Sequence, residues 1–236
     1  MSRRAGCLGA LVFLLLLLAG LLLVVDRVGV GIAEDRVAEQ VAERGGLTSP
    51  PEVEITGFPF LTQALGGEYD DIRLRLTAEQ LGQPAGTDAD VSLRGVHVPL
   101  SDVVSGEVQQ IPVDRVEGTA TLSYALLAEQ LGGGTTLAQE GEGIRITRQV
   151  ELLGFQLPLT ATGTVRLEGG DVVIDVGEAS AGSLGVPDAV LEQAAELLDL
   201  RYPVPALPFG LQLTSVVPAA DGIDVRVEAT DTVLTG

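Results

Sequence analysis

An unbroken apolar run near the N-terminus constrains this chain more than any other feature. The run extends from Leu8 to Val25, follows Arg3 and Arg4, and ends at Asp26. Its eighteen residues would rise about 27 Å as a helix, which is close to the thickness of a hydrocarbon core. Because positive flanks stay on the cytoplasmic side, the rest of the chain is predicted to lie on the far side of a membrane.

Residues 1–26 are therefore predicted to be a signal anchor or a signal peptide. The run is longer than the usual apolar region of a signal peptide, which favours an anchor. A weak small-x-small pattern at Gly31-Ile32-Ala33 leaves cleavage open, and Cys7 precedes the run, so it is not a lipoprotein cysteine. Residues 27–236 are expected to form one extracytoplasmic domain. The protein would be single-pass with a cytoplasmic N-terminus, or secreted if the segment is cleaved.

The composition excludes several classes of partner. The chain has 33 acidic residues, 14 arginines and a net charge of −19, so its surface should repel nucleic acid and anionic headgroups. Membrane attachment must then come from the N-terminal helix. Cys7 is the only cysteine, so the exported part has no disulfide, and few aromatic residues leave an aliphatic interior.

Hydrophobic periodicity predicts an α+β fold with an antiparallel sheet. Helical spacing predicts helices at Asp26–Arg44, Ser123–Leu131 and Pro187–Leu200. Alternation of apolar and charged residues predicts a larger number of strands, with a change of phase and a bulge at Gly95. The clearest strands fall near residues 72–76, 91–100, 116–124, 144–146, 157–167, 172–176 and 223–227. One-sided strands of this kind must be covered by helices or by a second sheet.

The sequence provides no catalytic or metal set. His97 is the only histidine, and with no exported cysteine the usual zinc ligands are missing. The segment Ala181-Gly182-Ser183-Leu184-Gly185 looks like a nucleophile elbow, but no histidine follows Ser183 as a hydrolase of that order requires. No catalytic residue, metal site or cofactor is predicted.

Three stretches are more apolar than loops should be. They cover residues 55–65, 152–159 and 202–211, and they contain four of the five phenylalanines. Their prolines argue that they are not all central strands. Two interpretations remain open: core packing where strands begin, or the wall of a pocket for an apolar ligand.

The first of these stretches also carries a family resemblance. The segment from Pro51 to Gln63, which contains Gly57-Phe58-Pro59-Phe60-Leu61-Thr62-Gln63, resembles the LmeA family of actinobacterial phospholipid-binding cell-envelope proteins. The similarity continues at residues 95–100, 116–120 and 207–211, in the order of the family. The first block is fairly specific, and the later blocks support it.

The resemblance implies a strongly twisted antiparallel sheet wrapped around two or three helices, with an apolar cavity between them. It implies binding of phospholipid, with phosphatidylinositol-type lipids among the candidates, and support of envelope lipid homeostasis. Arg201, beside Tyr202, is the candidate partner of the headgroup. The residues predicted to contact the ligand are Phe58, Phe60, Leu61, Leu65, Leu152, Phe155, Leu157, Leu198, Arg201, Tyr202, Leu207 and Phe209.

Two other functions stay open on the sequence. A hydrolase would use Ser183 or a pair of carboxylates. A membrane-anchored scaffold would instead bind an envelope protein that the sequence does not identify.

Overall fold

The first helix joins the apolar run to the rest of the chain without a break. The computed structural model describes residues 2–82, 85–105, 108, 110–131, 134–152, 155–180, 200–202 and 210–235. In it, helix α1 extends from Ser2 to Gly45 and is followed by Gly46, which has a φ of +64°. The predicted helix Asp26–Arg44 is confirmed as the second half of α1. At 44 residues, α1 is about 66 Å long.

The remaining described elements are short helices and many strands. The helices are α2 (Phe60–Gly66), α3 (Ala78–Leu81), α4 (Leu100–Ser105) and α5 (Tyr124–Leu131). The strands are β1 (Glu52–Thr56), β2 (Glu68–Leu76), β3 (Asp88–His97), β4 (Gln110–Ser123), β5 (Thr135–Glu140), β6 (Gly143–Leu152), β7 (Phe155–Glu168), β8 (Asp171–Ser180), β9 (Leu200–Tyr202), β10 (Gln212–Pro218) and β11 (Gly222–Thr235).

The described strands form two antiparallel sheets. One has six strands in the order β1-β2-β3-β4-β11-β10, and the other has five in the order β5-β6-β7-β8-β9. Strand β11 returns from the end of the chain to lie beside β4, with Ile223 opposite Leu122 and Ala229 opposite Val116. The α+β class predicted from the sequence is confirmed, and the one-sided strands are shared between two sheets.

Several apolar residues of the five-stranded sheet are almost completely buried. Ile144, Ile146, Leu159 and Ile174 are at most 2% exposed. They pack with Tyr124 of α5 and with residues of β10 and β11, so this sheet lies against the far edge of the six-stranded one. We call this packed group the β5–β9 core.

The six-stranded sheet is covered at its other edge by helices. The second half of α1 contributes buried Ala38, and α2 contributes buried Phe60. They pack on strand residues that include Ile55, Ile72 and Val113. The spacing that predicted the helix also identified its buried side, because Val30, Ala33 and Val37 contact this group.

Two hydrogen bonds fasten α1 to the sheet domain. The backbone N–H of Leu61 donates to Oδ1 of Asp26 at 2.8 Å, and Asp26 is only 3% exposed. The backbone N–H of Ile55, on the edge strand β1, donates to Oε1 of Glu34 at 2.8 Å. Edge donors need a partner of this kind, and here the helix supplies it. The second half of α1 is thus part of the domain.

Two residues at the same level of the six-stranded sheet have a positive φ. Gly95 of β3 has a φ of +61°, and the residue at the same level on β11, Asp231, has a φ of +50°. The register of β3 with both β2 and β4 is the same on either side of Gly95, so the prediction of a bulge at this position is wrong. The Asp114 side chain occupies the space that a Cβ at Gly95 would need. Glycine is therefore required at this position.

The helix prediction at Ser123–Leu131 is confirmed by α5, where the Ser123 hydroxyl accepts a hydrogen bond from the Leu126 N–H at 3.3 Å. The predicted helix at Pro187–Leu200 lies outside the described residues, apart from Leu200, which begins β9. The predicted strands correspond to β2, β3, β4, β6, β7, β8 and β11.

Candidate functional site

The six-stranded sheet has an apolar face that is incompletely covered in its centre. Ala89 of β3 lies opposite Ala120 of β4, and Gly118 of β4 lies opposite Val91. These small residues occupy the two central strands, where larger side chains would otherwise fill the face. Around them lie half-buried apolar residues that belong to neither packed group. We call Leu76, Ala89, Gly118, Ala120, Leu122 and Val227 the apolar floor.

Gly118 is small for a steric reason. A Cβ at this position would lie 2.8 Å from Cγ2 of Val227, which is closer than real Cβ contacts. Gly118 is itself buried, because the Val227 side chain occupies the space that a side chain at position 118 would need. The apolar floor is therefore an aliphatic surface that the described residues cover only in part.

The opposite face of the same strands carries a cavity, which we call the polar trough. Its volume is about 470 Å³. Because side chains alternate along a strand, the polar trough and the apolar floor lie on opposite sides of the sheet. The trough is lined mainly by charged and hydroxyl residues: Glu52, Glu54, Arg73, Arg75, Asp90, Ser92, Glu117, Thr119, Arg226 and Glu228. Leu74, Val91 and Gly118, whose positions alternate onto the apolar face, also line it.

Ion pairs connect several of the charged side chains that line the trough. The Arg75 guanidinium contacts Asp90 at 3.1 Å and Glu52 at 3.1 Å. The hydrogen bonds to Asp90 and Glu52 raise the pKa of Arg75 above its ordinary value. These side chains are more than half exposed, so the pairs add little stability and mainly fix the arrangement of charges.

One carboxylate beside the trough is buried. Asp71 is 9% exposed and accepts hydrogen bonds from the Ser92 hydroxyl at 2.6 Å and from Arg73 Nε at 2.8 Å. The Thr56 hydroxyl also donates to the Asp71 backbone carbonyl at 3.2 Å. A buried carboxylate with several donors is a structural link between neighbouring strands.

The predicted ligand residues are distributed over different environments. Phe60 is buried against Tyr69, with ring centroids 6.3 Å apart, and Leu61 packs on the same group. Phe58 and Leu65 are 59% and 76% exposed. None of the predicted residues lines the polar trough.

Further predicted residues are located by their backbone alone. Leu152 and Phe155 face each other where β6 and β7 meet, and Leu157 lies opposite Val150. Tyr202 of β9 pairs with Val172 of β8. The predicted residues Leu198, Leu207 and Phe209 lie outside the described residues. Their roles stay predictions.

The predicted headgroup residue, Arg201, is engaged by carboxylates. Its guanidinium lies 3.1 Å from Asp171 and 2.5 Å from Glu168. The hydrogen bonds to Asp171 and Glu168 raise the pKa of Arg201 above its ordinary value. The guanidinium is about half exposed, so it remains accessible at the sheet edge.

The apolar floor was missed by the sequence reasoning. Alternation predicted strands here, and it could have shown that Ala89, Gly118 and Ala120 share one face. Their proximity, however, depends on the pairing of β3 with β4.

Of the two residues considered for chemistry on the sequence, the structure describes only His97. His97 Nε2 lies 3.2 Å from Asp114 on the exposed surface, and Ser183 lies outside the described residues. Among the described residues, no group of three or more histidine, cysteine, aspartate or glutamate residues is arranged to hold a metal ion.

The α1 segment Leu11–Gly45 is long and apolar enough to cross a membrane, with a mean hydropathy of 2.6 in its most apolar window. Its length and composition fit either an anchor or a signal sequence. The side chains from Leu11 to Val25 are exposed, as expected of a segment outside a protein core.

Comparison with known proteins gives a single type of match. No curated protein and no solved structure matches the chain. The model of the LmeA-like phospholipid-binding family matches residues 24–228, which include the second half of α1 and nearly all of the two sheets. This chain therefore belongs to the LmeA-like phospholipid-binding family.

Proposed function

We propose that this protein is a non-catalytic phospholipid carrier or sensor of the cell envelope. The family is described as phospholipid-binding. The observation that carries the proposal is the apolar floor, an aliphatic surface left half-buried between two packed groups. Burial of an acyl chain contributes about 0.8 kcal/mol per methylene, so apolar contact alone could retain a lipid.

The apolar floor suits an acyl chain better than a polar ligand. The side chains that form it offer only methyl and methylene groups, and the nearest charged groups of these strands lie on the opposite face. A long hydrocarbon chain could lie across the small residues Ala89, Gly118 and Ala120 and contact the flanking Leu76 and Val227. The predicted ligand residues at 152–157 and 198–209 would extend this surface into an apolar cavity.

The packing of α1 supports an uncleaved anchor. Cleavage after Ala33 would remove Asp26 and Val30, both of which contact the domain. The buried Leu61 N–H would lose its acceptor, which costs about 1–3 kcal/mol. We therefore place the domain on the outer side of the cell membrane, held by α1, with the N-terminus in the cytoplasm. Removal of the leader would yield a secreted but less stable form.

The lipid class follows from the headgroup contact. Arg201 offers an exposed cation at the edge of β9, and a phosphate could compete there with Glu168 and Asp171. Although the net charge of −19 repels anionic headgroups in general, this local cation favours an anionic lipid, with phosphatidylinositol-type lipids as the first candidates. The role in envelope lipid homeostasis would be to carry or to present such a lipid.

The test uses the full-length protein and a phospholipid whose acyl chain carries a photoactivatable diazirine. After reconstitution in phosphatidylcholine vesicles doped with this lipid and irradiation, mass spectrometry locates the adducts. We expect adducts on peptides that contain residues 74–76, 89–93 and 118–122, in addition to those on α1. Labelling with a phosphatidylinositol probe should exceed labelling with a phosphatidylcholine probe.

Two substitutions on neighbouring residues give the control. Ala120→Leu fills the apolar floor and should abolish labelling of the sheet peptides. Thr119→Leu adds comparable bulk on the polar face and should leave that labelling unchanged. Adducts confined to α1 in the wild type would reject the proposal and favour the anchored scaffold that binds an envelope protein.

A further inference from the structure

The exposed apolar residues outside α1 are concentrated in one place. Among the described residues beyond α1, six large apolar side chains are exposed, and four of them lie in or directly before α2 and α4. These four are Phe58 at 59%, Leu65 at 76%, Leu100 at 38% and Val103 at 49%. We call them the membrane-side patch. Such a concentration is typical of an interaction surface.

The two helices that carry the patch are joined directly. The Val98 N–H donates to the Gly67 carbonyl at 2.8 Å, which connects the end of α2 to the start of α4. The Pro99 backbone lies against Gly67, where a Cβ would be only 3.0 Å from the Pro99 Cα. Leu65 and Leu100 therefore belong to one continuous surface.

The position of this surface along α1 is fixed by three contacts. Asp26 accepts the hydrogen bond from Leu61, Arg27 lies 5.6 Å from the centre of the Phe58 ring, and a Cβ at Gly29 would be 3.5 Å from the Phe60 ring. Residues 26–29 follow the apolar run immediately. At about 1.5 Å per residue, they lie within roughly 6 Å of its end.

This level corresponds to the headgroup layer of a bilayer. The layer adds roughly 5–8 Å on each side of the hydrocarbon core. The apolar stripe of α1 also continues past Asp26, because Val28 and Ile32 are 57% and 59% exposed. An arginine over an aromatic ring is well suited to this depth, since both side chains combine an apolar body with a polar end.

We infer that the membrane-side patch docks on the outer surface of the membrane that α1 spans, with its apolar side chains in the interfacial layer. The inference rests on α1 remaining as an anchor, and it does not depend on lipid binding by the apolar floor. The acidic surface does not oppose the contact, because attachment comes from α1 and from apolar burial rather than from charge.

The docking also has a consequence for lipid entry. The patch and the covered edge of the six-stranded sheet share α2, since buried Phe60 and exposed Leu65 lie on opposite sides of this helix. A domain held in this orientation keeps that edge of the sheet next to the bilayer. A lipid could therefore reach the sheet without crossing bulk water.

Environment-sensitive fluorescence on the full-length protein tests the docking. In a Cys7→Ser background, Leu65→Cys and Val103→Cys are labelled with the fluorophore NBD and reconstituted in phosphatidylcholine vesicles. Val217→Cys is the matched control, because Val217 is 55% exposed on β10, away from α2. Spin-labelled phosphatidylcholine in the same vesicles serves as a quencher.

We expect a blue-shifted emission and several-fold stronger quenching at positions 65 and 103 than at 217. Equal weak quenching at all three positions would overturn the inference. A blue shift at 65 and 103 without quenching by the lipid would also overturn it, since a protein surface would then cover the patch. Photolabelling of the same variants separates this result from the lipid-binding proposal, because docking can fail while the apolar floor is still labelled.

Discussion

The two sheets of this protein bury their apolar faces to different extents. The β5–β9 core contains Ile144 at 0% and Ile146 at 1% exposure, closed by α5 and the β10–β11 edge. The six-stranded sheet has one strand more and is covered at its edges, while its centre carries the half-buried apolar floor. The same alternating pattern thus produces a stabilising core in one sheet and an available surface in the other.

The difference has a physical origin in side-chain size. In the β5–β9 core, branched aliphatic residues from facing elements fill the space, as close packing requires. In the centre of the six-stranded sheet, Ala89 and Ala120 are small and, like the flanking Leu76, Leu122 and Val227, are only half-buried by the described elements. A site for an apolar ligand needs this incomplete packing.

The largest expected effect comes from truncating matched residues in the two sheets. Ile144→Ala should destabilise the protein by about 2–5 kcal/mol, because it leaves a cavity in a closed core. Leu76→Ala on the apolar floor should cost less than about 1.5 kcal/mol, because its side chain is only partly buried. Urea titration in mild detergent, followed by circular dichroism, measures both. Equal losses would contradict the proposed difference between the sheets.

Removing the link between α1 and α2 should have the next largest effect. Asp26→Ala leaves the Leu61 N–H without its acceptor and should cost about 1–3 kcal/mol in the same titration. Asp35→Ala, at an exposed position on the same helix, is the control and should be close to neutral. If both variants behave like the wild type, the second half of α1 does not contribute to the domain as described.

Replacing one tyrosine in each packed group compares the contributions of their hydroxyl groups to stability. The Tyr124 hydroxyl, in the β5–β9 core, donates to the Ala219 carbonyl at 2.8 Å, so Tyr124→Phe should cost about 1 kcal/mol at neutral pH. The Tyr69 hydroxyl makes no hydrogen bond to a described residue in the structure, and Tyr69→Phe should be nearly neutral. A larger cost at Tyr69 would show that its environment holds a polar partner.

The raised pKa values of the same two tyrosines predict that the protein loses stability at alkaline pH. Burial raises the pKa of Tyr69 and of Tyr124 above the ordinary value of 10.0, and Asp224 raises that of Tyr124 further. The stability that comes from the raised pKa is fully present below pH 10 and is lost as the pH rises through the folded-state pKa. Each Phe variant should therefore lose less stability than the wild type above pH 10, and parallel alkaline curves would contradict this.

The smallest effect on stability is expected at the edge of the five-stranded sheet. Arg201→Ala removes exposed ion pairs with Glu168 and Asp171, so the unfolding midpoint should not change measurably. The same variant tests the headgroup proposal, because photolabelling by the phosphatidylinositol probe should fall while labelling by phosphatidylcholine is maintained. A parallel fall for both lipids would remove the headgroup role and indicate a general defect.

Local patterns predicted a large part of the fold. Strict alternation in residues 72–76 and 223–227 identified β2 and β11, and the spacing of Val30, Ala33 and Val37 identified the packed side of α1. These signals depend only on residues a few positions apart, so the sequence contains them in full. The short helices α2 and α4 were not predicted, because elements of six or seven residues lack a complete helical period pattern.

The candidate site was less accessible to prediction. Phe58, Phe60, Leu61 and Leu65 were all predicted to contact the ligand, and the structure packs Phe60 inside the protein but leaves Phe58 and Leu65 at the surface. The sequence could not show which of these side chains is buried, because their burial depends on how α2 packs against α1. Pro158 shows that local signals can mislead: a proline argues against a paired strand, yet Pro158 lies within β7 opposite Gln149 of β6.

The sequence by itself determined the apolar helix, the one-sided strands, the α+β class and the family. The tertiary structure decided which residues of those strands are covered. It placed β11 beside β4 across about a hundred residues of chain, brought Ala89, Gly118 and Ala120 together, and set Leu61 on Asp26. The physical reason is that alternation specifies which face of a strand is apolar, whereas coverage of that face depends on contacts between distant parts of the chain.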